Sequence, residues 1–503
     1  MIADAWLPLA VVLSSFLPGL AIFFLAESRI RLRTTLNLAG ALAKLALIGL
    51  MLWGVVNDHT YVFTHTVLPG LDIVLKADAL AMLFVTLSAV LWLFTTVYAI
   101  GYLEGAPHRS RFFGFFSLCV TATVGVAMAG NLFSFFVFYE LLTLATYPLV
   151  VHRGTEKALR AGHIYLAYTL GGGALLLIGT VWLYGLAGQV DFVHGGSLAT
   201  LPPQVEGQLK IAFLLLIAGV GVKAALVPLH GWLPLAMVAP APVSALLHAV
   251  AVVKAGAFGI VRIVYEVYGV EFAQSLGLLT PLAIAAAVTI VWGSTRALFQ
   301  DDLKKRLAYS TVSQVSYIAL GVTLFGPVGT VGGMVHLVHQ GIMKITLFFC
   351  AGNYAETLGI HKVSEMDGVG RRMPWTTLAF TVGAFGMIGV PPLAGFISKW
   401  YLGLGALDAG MPWVLAVLAA SSLLNAAYFL PILHRAWFRE SPAAWPDEHI
   451  PVRRGWETVP LLLWPPLATA AATLLVGLFA ASAFSPLDWA QLIAQREYLQ
   501  WTP

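Results

Sequence analysis

Six ionisable residues lie inside long apolar segments of this chain, where the interior of a bilayer would make a charge costly. They are one glutamate and five lysines: Glu140, Lys44, Lys223, Lys254, Lys344 and Lys399. None of the five basic residues is an arginine, and lysine can release its proton when it is desolvated, whereas arginine in practice cannot. The first chemistry that these residues predict is therefore the movement of protons.

Composition places these residues in a membrane protein. Of the 503 residues, 59% are hydrophobic and 10% are charged, whereas an ordinary soluble domain has about 25% charged residues. The net charge of +4 comes mostly from loops, so we expect no nucleic-acid partner. The sequence has no CxxC pair, metal-ligand cluster, glycine-rich phosphate loop or dinucleotide fingerprint. We therefore expect no cofactor, no metal and no catalytic site in this chain.

The length of the apolar segments predicts the fold. A membrane-spanning helix needs about 20 apolar residues, and 14 segments meet that requirement. Loops after odd-numbered segments hold 19 Lys and Arg residues and the opposite side holds 4. By the positive-inside rule both termini then lie outside. We predict an all-α, multi-pass protein in which Asp78, at the start of segment 3, lies at the interface.

Two segments contain prolines that should interrupt a helix. Segment 7 includes Pro228 and segment 12 includes Pro391 and Pro392, each break with a Val-Pro step near a glycine. Proline removes a backbone donor and clashes with the preceding turn. Because the two segments cross the membrane in opposite directions, they predict an inverted repeat of the kind found in transporters. Ordinary proline kinks are the alternative.

This interpretation divides the chain into four parts. Residues 1–111 form helices 1–3, and residues 112–268 form the first five-helix repeat, helices 4–8. Residues 269–434 form the second repeat, helices 9–13, and residues 435–503 form a loop, helix 14 and a short tail.

Glu140 and Lys223 are predicted to lie at similar depth in segments 5 and 7. We predict that they form a switchable ion pair, because separating the two would weaken the hold of the lysine on its proton. A permanent pair that only orients two helices is the alternative. In segment 8, Lys254 lies near the middle and His248 six residues before it. His248 is either a relay or a hydrogen-bonded structural group.

Segment 11 carries a polar row, since His336, Gln340 and Lys344 are spaced i, i+4 and i+8 and His339 flanks them. Such a row could hold waters that pass protons, and a polar seam in the core is the alternative. Lys399 follows the second break and is predicted to be an exit site, unless it snorkels to the outer interface. Lys44 is predicted to snorkel or to face a partner subunit, and a place on the transport path is the alternative.

The motifs around these residues resemble the antiporter-like subunits of respiratory complex I and of Mrp-type multisubunit cation/proton antiporters. The resemblance covers nearly the whole chain and rests on FYELLTLATYPLV, GVKAALVPLHGWLP, APVSALLHAVAVVKAGAFG, DDLKKRLAYSTVSQ, HLVHQGIMK and GVPPLAGFISK. It implies a subunit with 14 helices that moves protons along a central hydrated axis. That axis would run through the Glu140–Lys223 pair and a bridging Lys254 to a terminal Lys399.

Segment 11 looks most like that of the D-type component of Mrp antiporters, although Gln340 stands where many relatives carry a second histidine. The resemblance implies a proton-translocating subunit of a Na+/H+ antiporter in the cytoplasmic membrane of a prokaryote. Its partners would be other membrane subunits, and its transported ions would be protons and, in the antiporter, Na+. The alternative is a proton-pumping subunit of a redox complex of the NADH-quinone oxidoreductase or hydrogenase type. A solute carrier that works alone is a third class.

Overall fold

The computed structural model describes residues 2–448, 456–483 and 485–498. Arg453 and Arg454, two of the basic loop residues counted above, lie outside the described residues. Twelve helices in these ranges are long and apolar enough to cross a membrane. The number of helices that cross the bilayer, the four-part division and the inverted repeat remain predictions.

Helices account for most of the chain, and each predicted segment contains at least one. The first seven helices are α1 Ile2–Phe23, α2 Ile30–Val56, α3 Ala79–Tyr102, α4 Arg109–Met128, α5 Leu132–Val150, α6 Glu156–Ala187 and α7 Glu206–Lys223. Next come α8 Trp232–Leu235, α9 Ala241–Ala245, α10 Val252–Arg262, α11 Val270–Ser275, α12 Leu279–Leu298, α13 Leu303–Thr323 and α14 Pro327–Leu358. The last are α15 Val369–Arg372, α16 Pro374–Ile388, α17 Ala394–Asp408, α18 Trp413–Phe438, α19 Pro460–Leu478 and α20 Pro486–Glu497.

A β-hairpin lies between α2 and α3 and is an addition to the all-α prediction. Strands β1 Tyr61–Leu68 and β2 Leu71–Ala77 pair antiparallel, with Tyr61 opposite Ala77. Gly70 in the turn has a φ of 78°, a conformation that glycine adopts without steric cost. The hairpin leads directly into α3, so it fixes where that helix begins.

Two elements form the centre of the protein. In the most apolar 18-residue stretches of α14 and of residues 241–268, 100% of the residues are buried. In the corresponding stretches of α1 and α2, 33% of the residues are buried. Residues 241–268 do not form one regular helix, because π-helical turns at Leu246–Val250 and Ile263–Tyr268 flank α10. Such turns interrupt the regular hydrogen-bond ladder and are frequent at functional sites.

Both proline-containing segments are interrupted. Helix α7 ends at Lys223, and the next helix, α8, begins at Trp232. Helix α16 ends at Ile388, and α17 begins at Ala394. The breaks therefore fall at Pro228 and at the Pro391–Pro392 pair, where proline cannot continue the ladder.

One prediction about a charged residue is wrong. Lys44 neither snorkels nor faces outward, since its side chain is 0% exposed within this chain. Burial by neighbouring helices cannot be read from the position of a residue in its own segment. Asp78, predicted at the interface, is buried among protein groups, where its carboxylate receives a hydrogen bond of 3.0 Å from buried Arg262, which also contacts Glu266; its depth in the membrane remains a prediction.

Candidate functional site

Lys223 is held at the end of a helix. It is the last residue of α7, and its ammonium donates to the main-chain carbonyl of Tyr139 on α5. The ammonium also lies 3.3 Å from the centroid of the Tyr139 ring. The indole of Trp232 donates to the Val222 carbonyl at 2.8 Å, so one freed carbonyl of this helix end has a partner. A helix C-terminus favours a cation, which fits the position of Lys223.

Glu140 follows Tyr139 on α5 and is half-buried against α6. A side chain at Gly173 would overlap the Glu140 carboxylate, so this glycine makes the room that the carboxylate occupies. The buried Oε1 has no hydrogen-bond partner, and no ion pair joins Glu140 to Lys223 in the described structure. The predicted ion pair is therefore not formed in this structure.

Lys254 connects the first break to α14. Its ammonium donates to the carbonyl of Leu337 at 2.6 Å. Two residues further along α10, a side chain at Gly256 would collide with the backbone of Lys223 and Ala224. Glycine at this position therefore brings the Lys254 helix against the end of α7.

His248 and Gln340 are buried polar residues that lack protein partners. Neither ring nitrogen of His248 and neither amide atom of Gln340 has a hydrogen bond to the described protein. His248 stacks on Phe348 with ring centroids 4.5 Å apart. Buried polar groups are nearly always hydrogen-bonded, and water supplies the bond where protein does not. His248 and Gln340 are therefore interior polar groups for which the described protein itself supplies no hydrogen-bond partner.

Lys344 lies between α14 and α13. Its ammonium donates to Ser310 Oγ at 2.6 Å and to the Leu307 carbonyl at 3.2 Å. Ser310 is one of the polar residues of segment 10, and its hydroxyl is 2.9 Å from the hydroxyl of Tyr428 on α18. Tyr428 lies on α18, a helix for which the sequence predicted no functional residue.

Tyr428 continues the chain of hydrogen bonds towards Lys399. Its hydroxyl is 2.5 Å from Asn425 Oδ1, and the Asn425 amide donates to the Met387 carbonyl at 3.0 Å. The Lys399 ammonium donates to the same Met387 carbonyl at 3.1 Å. Lys344 and Lys399 are thus joined through four intervening groups. The one sequence signal for Asn425 and Tyr428 was their spacing of three residues within an apolar helix.

Lys399 is bound at the end of the other broken helix. Besides Met387, its ammonium donates to the Ile388 carbonyl at 2.7 Å and to Ser422 Oγ at 2.9 Å. These three bonds hold the ammonium against the end of α16 and against α18. A cavity of about 430 Å³ adjoins the side chain and is also lined by Trp400, which is 56% exposed.

His336 bridges α13 and α17. Its Nε2 lies 3.1 Å from the Gln314 carbonyl, which can only accept, so Nε2 carries a hydrogen. Its Nδ1 lies 2.8 Å from Ser398 Oγ. Nδ1 accepts from that hydroxyl when the ring is neutral and donates to it when the ring is protonated. His339, also buried, faces the backbone of Ala394 at the start of α17.

Among the described residues, hydrogen bonds join Lys344 to Lys399 but do not join Lys223, Lys254 and Lys344 to one another. Lys223, Lys254, Lys344 and Lys399 each donate to a main-chain carbonyl, and none contacts a carboxylate among the described residues. Within the same part of the chain no group of three or more His, Cys, Asp and Glu could hold a metal.

Comparison with known proteins identifies the family. Residues 129–425 match the family described as NADH:quinone oxidoreductase/Mrp antiporter, TM. The N-type component of NADH-quinone oxidoreductase from Desulforudis audaxviator is 36% identical over 424 residues, which span 82% of this chain and 83% of that protein. The chain belongs to this family. The resemblance deduced from the lysine and proline motifs is therefore confirmed.

Other members of the family extend the comparison. The D-type component of the Na+/H+ antiporter from Bacillus subtilis is 29% identical over 81% of this chain and 80% of its own length. A protein in the solved Mrp complex from a Dietzia species has a TM-score of 0.86 at 26% identity, with 99% of this chain and 98% of that protein covered. The similarity therefore includes the N-terminal and C-terminal helices that lie outside residues 129–425.

The close contact at Gly256 leads to a prediction. Gly256→Ala should lower the stability of the purified protein by about 1–3 kcal/mol, because the added methyl group cannot fit against the backbone after Lys223. Gly171→Ala is the matched control, since no atom lies within 4 Å of a side chain there and the helix should gain about 0.5–1 kcal/mol. Thermal unfolding measures both. Equal melting temperatures for the two variants would contradict the close approach.

Proposed function

We propose that this chain translocates protons across the membrane as one subunit of a multisubunit complex and has no catalytic site of its own. The observation that carries the proposal is the set of four lysines, three buried and Lys399 half-buried, each bound to a main-chain carbonyl and none to a carboxylate among the described residues. A carbonyl stabilises the charged form of the lysine but leaves no unpaired negative charge when the proton departs. Each lysine can therefore load and release a proton.

Glu140 and Lys223 form the switch in this proposal. In the present geometry the ammonium is bound by Tyr139 and its ring, while one oxygen of the glutamate is buried without a partner. A small movement of the Lys223 side chain would exchange the carbonyl for the carboxylate. With the pair closed Lys223 retains its proton, and with the pair open Lys223 can pass it to the hydrated interior near Lys254.

From Lys254 the route continues to Lys344 and Lys399. The partnerless atoms of His248 and Gln340 indicate water between the helices, and water molecules carry protons between lysines that do not touch. Beyond Lys344, Ser310 accepts from the ammonium and can pass its own hydrogen to Tyr428, whose hydroxyl donates to Asn425 Oδ1. The Asn425 amide and the Met387 carbonyl that follow position Tyr428 beside Lys399 and carry no proton themselves. His336 exchanges a proton with Ser398, the neighbour of Lys399 in sequence.

We place the chain first in a Na+/H+ antiporter of the cytoplasmic membrane, as a D-type subunit with both termini outside. The match to a protein of the Mrp complex over nearly its full length supports this assignment. In such a complex this chain would conduct protons while Na+ crosses with the help of other subunits.

A proton-pumping subunit of a redox complex is the second candidate. It is favoured by the 36% identity to the N-type component of NADH-quinone oxidoreductase. The route for protons would be the same, but electron transfer in other chains would drive it.

Purification of the intact complex from native membranes distinguishes the two. Small hydrophobic antiporter subunits should copurify with this chain, and the preparation should exchange Na+ for protons when it is reconstituted in liposomes. Copurification of iron–sulfur, flavin or nickel proteins would instead assign the chain to a redox complex.

Lys223→Ala should abolish proton translocation by the assembled complex, because the route then lacks the group that pairs with Glu140 and carries the proton at the first break. Glu140→Gln should impair it severely, since the amide keeps the size of the side chain and loses its charge. Proton uptake into liposomes with a pH-sensitive dye measures both effects, and gel filtration checks assembly. If both Glu140→Asp and Glu140→Gln transport like the parent, the charge switch does not operate.

Tyr428→Phe removes one hydroxyl from the link between Lys344 and Lys399. We expect translocation to fall by roughly 10²-fold, the contribution typical of a positioned proton-transfer group, with unchanged assembly. Tyr354→Phe is the control, because its buried hydroxyl bonds to Thr377 at 3.1 Å, away from the lysines. Parental rates in Tyr428→Phe would show that protons reach Lys399 by another path, such as His336 and Ser398.

A further inference from the structure

Lys44 is a buried cation that the proposed route does not use. It lies near the middle of α2, and its ammonium donates to Ser15 Oγ on α1 at 2.7 Å. The ammonium is also 5.1 Å from the ring centroid of Trp92 on α3, a distance at which cation–π attraction operates. An ionisable residue at this depth is costly and needs an explanation.

A row of hydroxyls and one amide continues from Ser15. The Ser15 and Thr121 hydroxyls are 2.8 Å apart, and Thr121 also donates to the Ser117 carbonyl at 2.9 Å. The Ser117 hydroxyl then donates to Asn37 Oδ1 at 3.3 Å. All four side chains are at most 1% exposed. We refer to Ser15, Thr121, Ser117 and Asn37 as the hydroxyl seam.

A second polar group lies further along the same two helices, and among the described residues no hydrogen bond joins it to Asn37, whose Nδ2 has no partner. Arg33, one turn before Asn37 on α2, donates to Ser110 Oγ at 2.9 Å, and the Ser110 amide donates to Glu27 at 2.9 Å. Arg33, Asn37 and Lys44 share one face of α2 by their spacing of four and seven residues. Ser110, Ser117 and Thr121 share one face of α4 in the same way. The two polar stripes therefore face each other from Glu27 to Lys44.

Three elements pack around the Lys44 ammonium, and among the described residues none of them presents a charge to it. Ser15 on α1 accepts a hydrogen bond from the ammonium, and the ring of Trp92 on α3 lies beside it. Thr121 on α4 does not contact the ammonium but is hydrogen-bonded to Ser15. On its own helix the nearest charge along the seam is Arg33, eleven residues or about 16 Å away. A residue that served only to join helices would need no charge here, because a neutral side chain could bond to Ser15.

We propose that Lys44 is a second proton-binding site, which exchanges its proton with the hydroxyls of Ser15 and Thr121 at the start of the hydroxyl seam. The step is a simple transfer. A proton arriving through Ser15 binds the Lys44 amine to give the ammonium, and the ammonium returns it to Ser15 on release. The inference rests on the proposed function, because proton transport by the complex is its readout.

The test compares two substitutions with opposite charge behaviour in the assembled complex, reconstituted in liposomes. Lys44→Gln keeps a donor for Ser15 but binds no proton, and Lys44→Arg keeps the charge but does not release its proton. We expect both to reduce proton uptake by roughly tenfold or more, as for loss of a positioned proton-transfer group. Parental uptake in either variant would overturn the proposal, since a donor or a fixed charge would then suffice.

Substitutions in the seam keep the proposal testable if Lys44 variants fail to assemble. Ser15→Ala should reduce uptake, whereas Ser14→Ala should not, because Ser14 bonds to the Val11 carbonyl at 2.7 Å beside the seam. Equal uptake in the two serine variants would refute the seam as a path. Lys223→Ala in the same assay separates the two proposals, because normal uptake in that variant contradicts the proposed function alone.

Discussion

An ammonium ion inside a membrane protein needs oxygen acceptors, and a regular helix has few to offer because its carbonyls are bonded internally. For Lys399 the structure meets this requirement where a helix stops, because its ammonium binds the last carbonyls of α16 before the second proline break. Lys223 is itself the last residue of α7, but its acceptor is the Tyr139 carbonyl within α5. Lys254 and Lys344 likewise bind carbonyls within helices, those of Leu337 in α14 and Leu307 in α13. The proline break therefore supplies acceptors for Lys399, whereas the other lysines share carbonyls with neighbouring helices.

The acceptors of the lysines differ from those of a buried arginine. Buried Arg262 contacts the carboxylates of Asp78 and Glu266, and breaking such a pair strands a charge at a cost of about 3–5 kcal/mol. That arrangement resists change. The lysines are bound to carbonyls and hydroxyls, so the loss of a proton would leave only neutral groups behind. In residues 241–268 the charge-paired Arg262 therefore suits a structural role, and the neutral acceptor of Lys254 suits the proposed exchange of a proton.

The sequence predicts the helices and breaks because both follow from local properties, apolar length and proline. It also predicts Glu140 and the lysines, since a charge within an apolar segment is visible without a structure. Asn425 and Tyr428 could not be assigned, because their role depends on the rotation of α18 towards Ser310 and Met387. The π-helical turns around α10 likewise follow from tertiary packing, and the burial of Lys44 depends on three neighbouring helices.

The burial of the proposed route differs between its middle and its ends. Lys223, Lys254 and Lys344 are 0% exposed, whereas Glu140 and Lys399 are half-buried. A charged group that reaches the lipid-facing surface at mid-depth is unfavourable unless another chain covers it. The two half-buried ends belong to opposite parts of the route, the α5–α6 side and the α17–α18 side. A protein built in this way is suited to neighbours at both ends, which could alter the charge state of Glu140 or Lys399 without entering the buried middle.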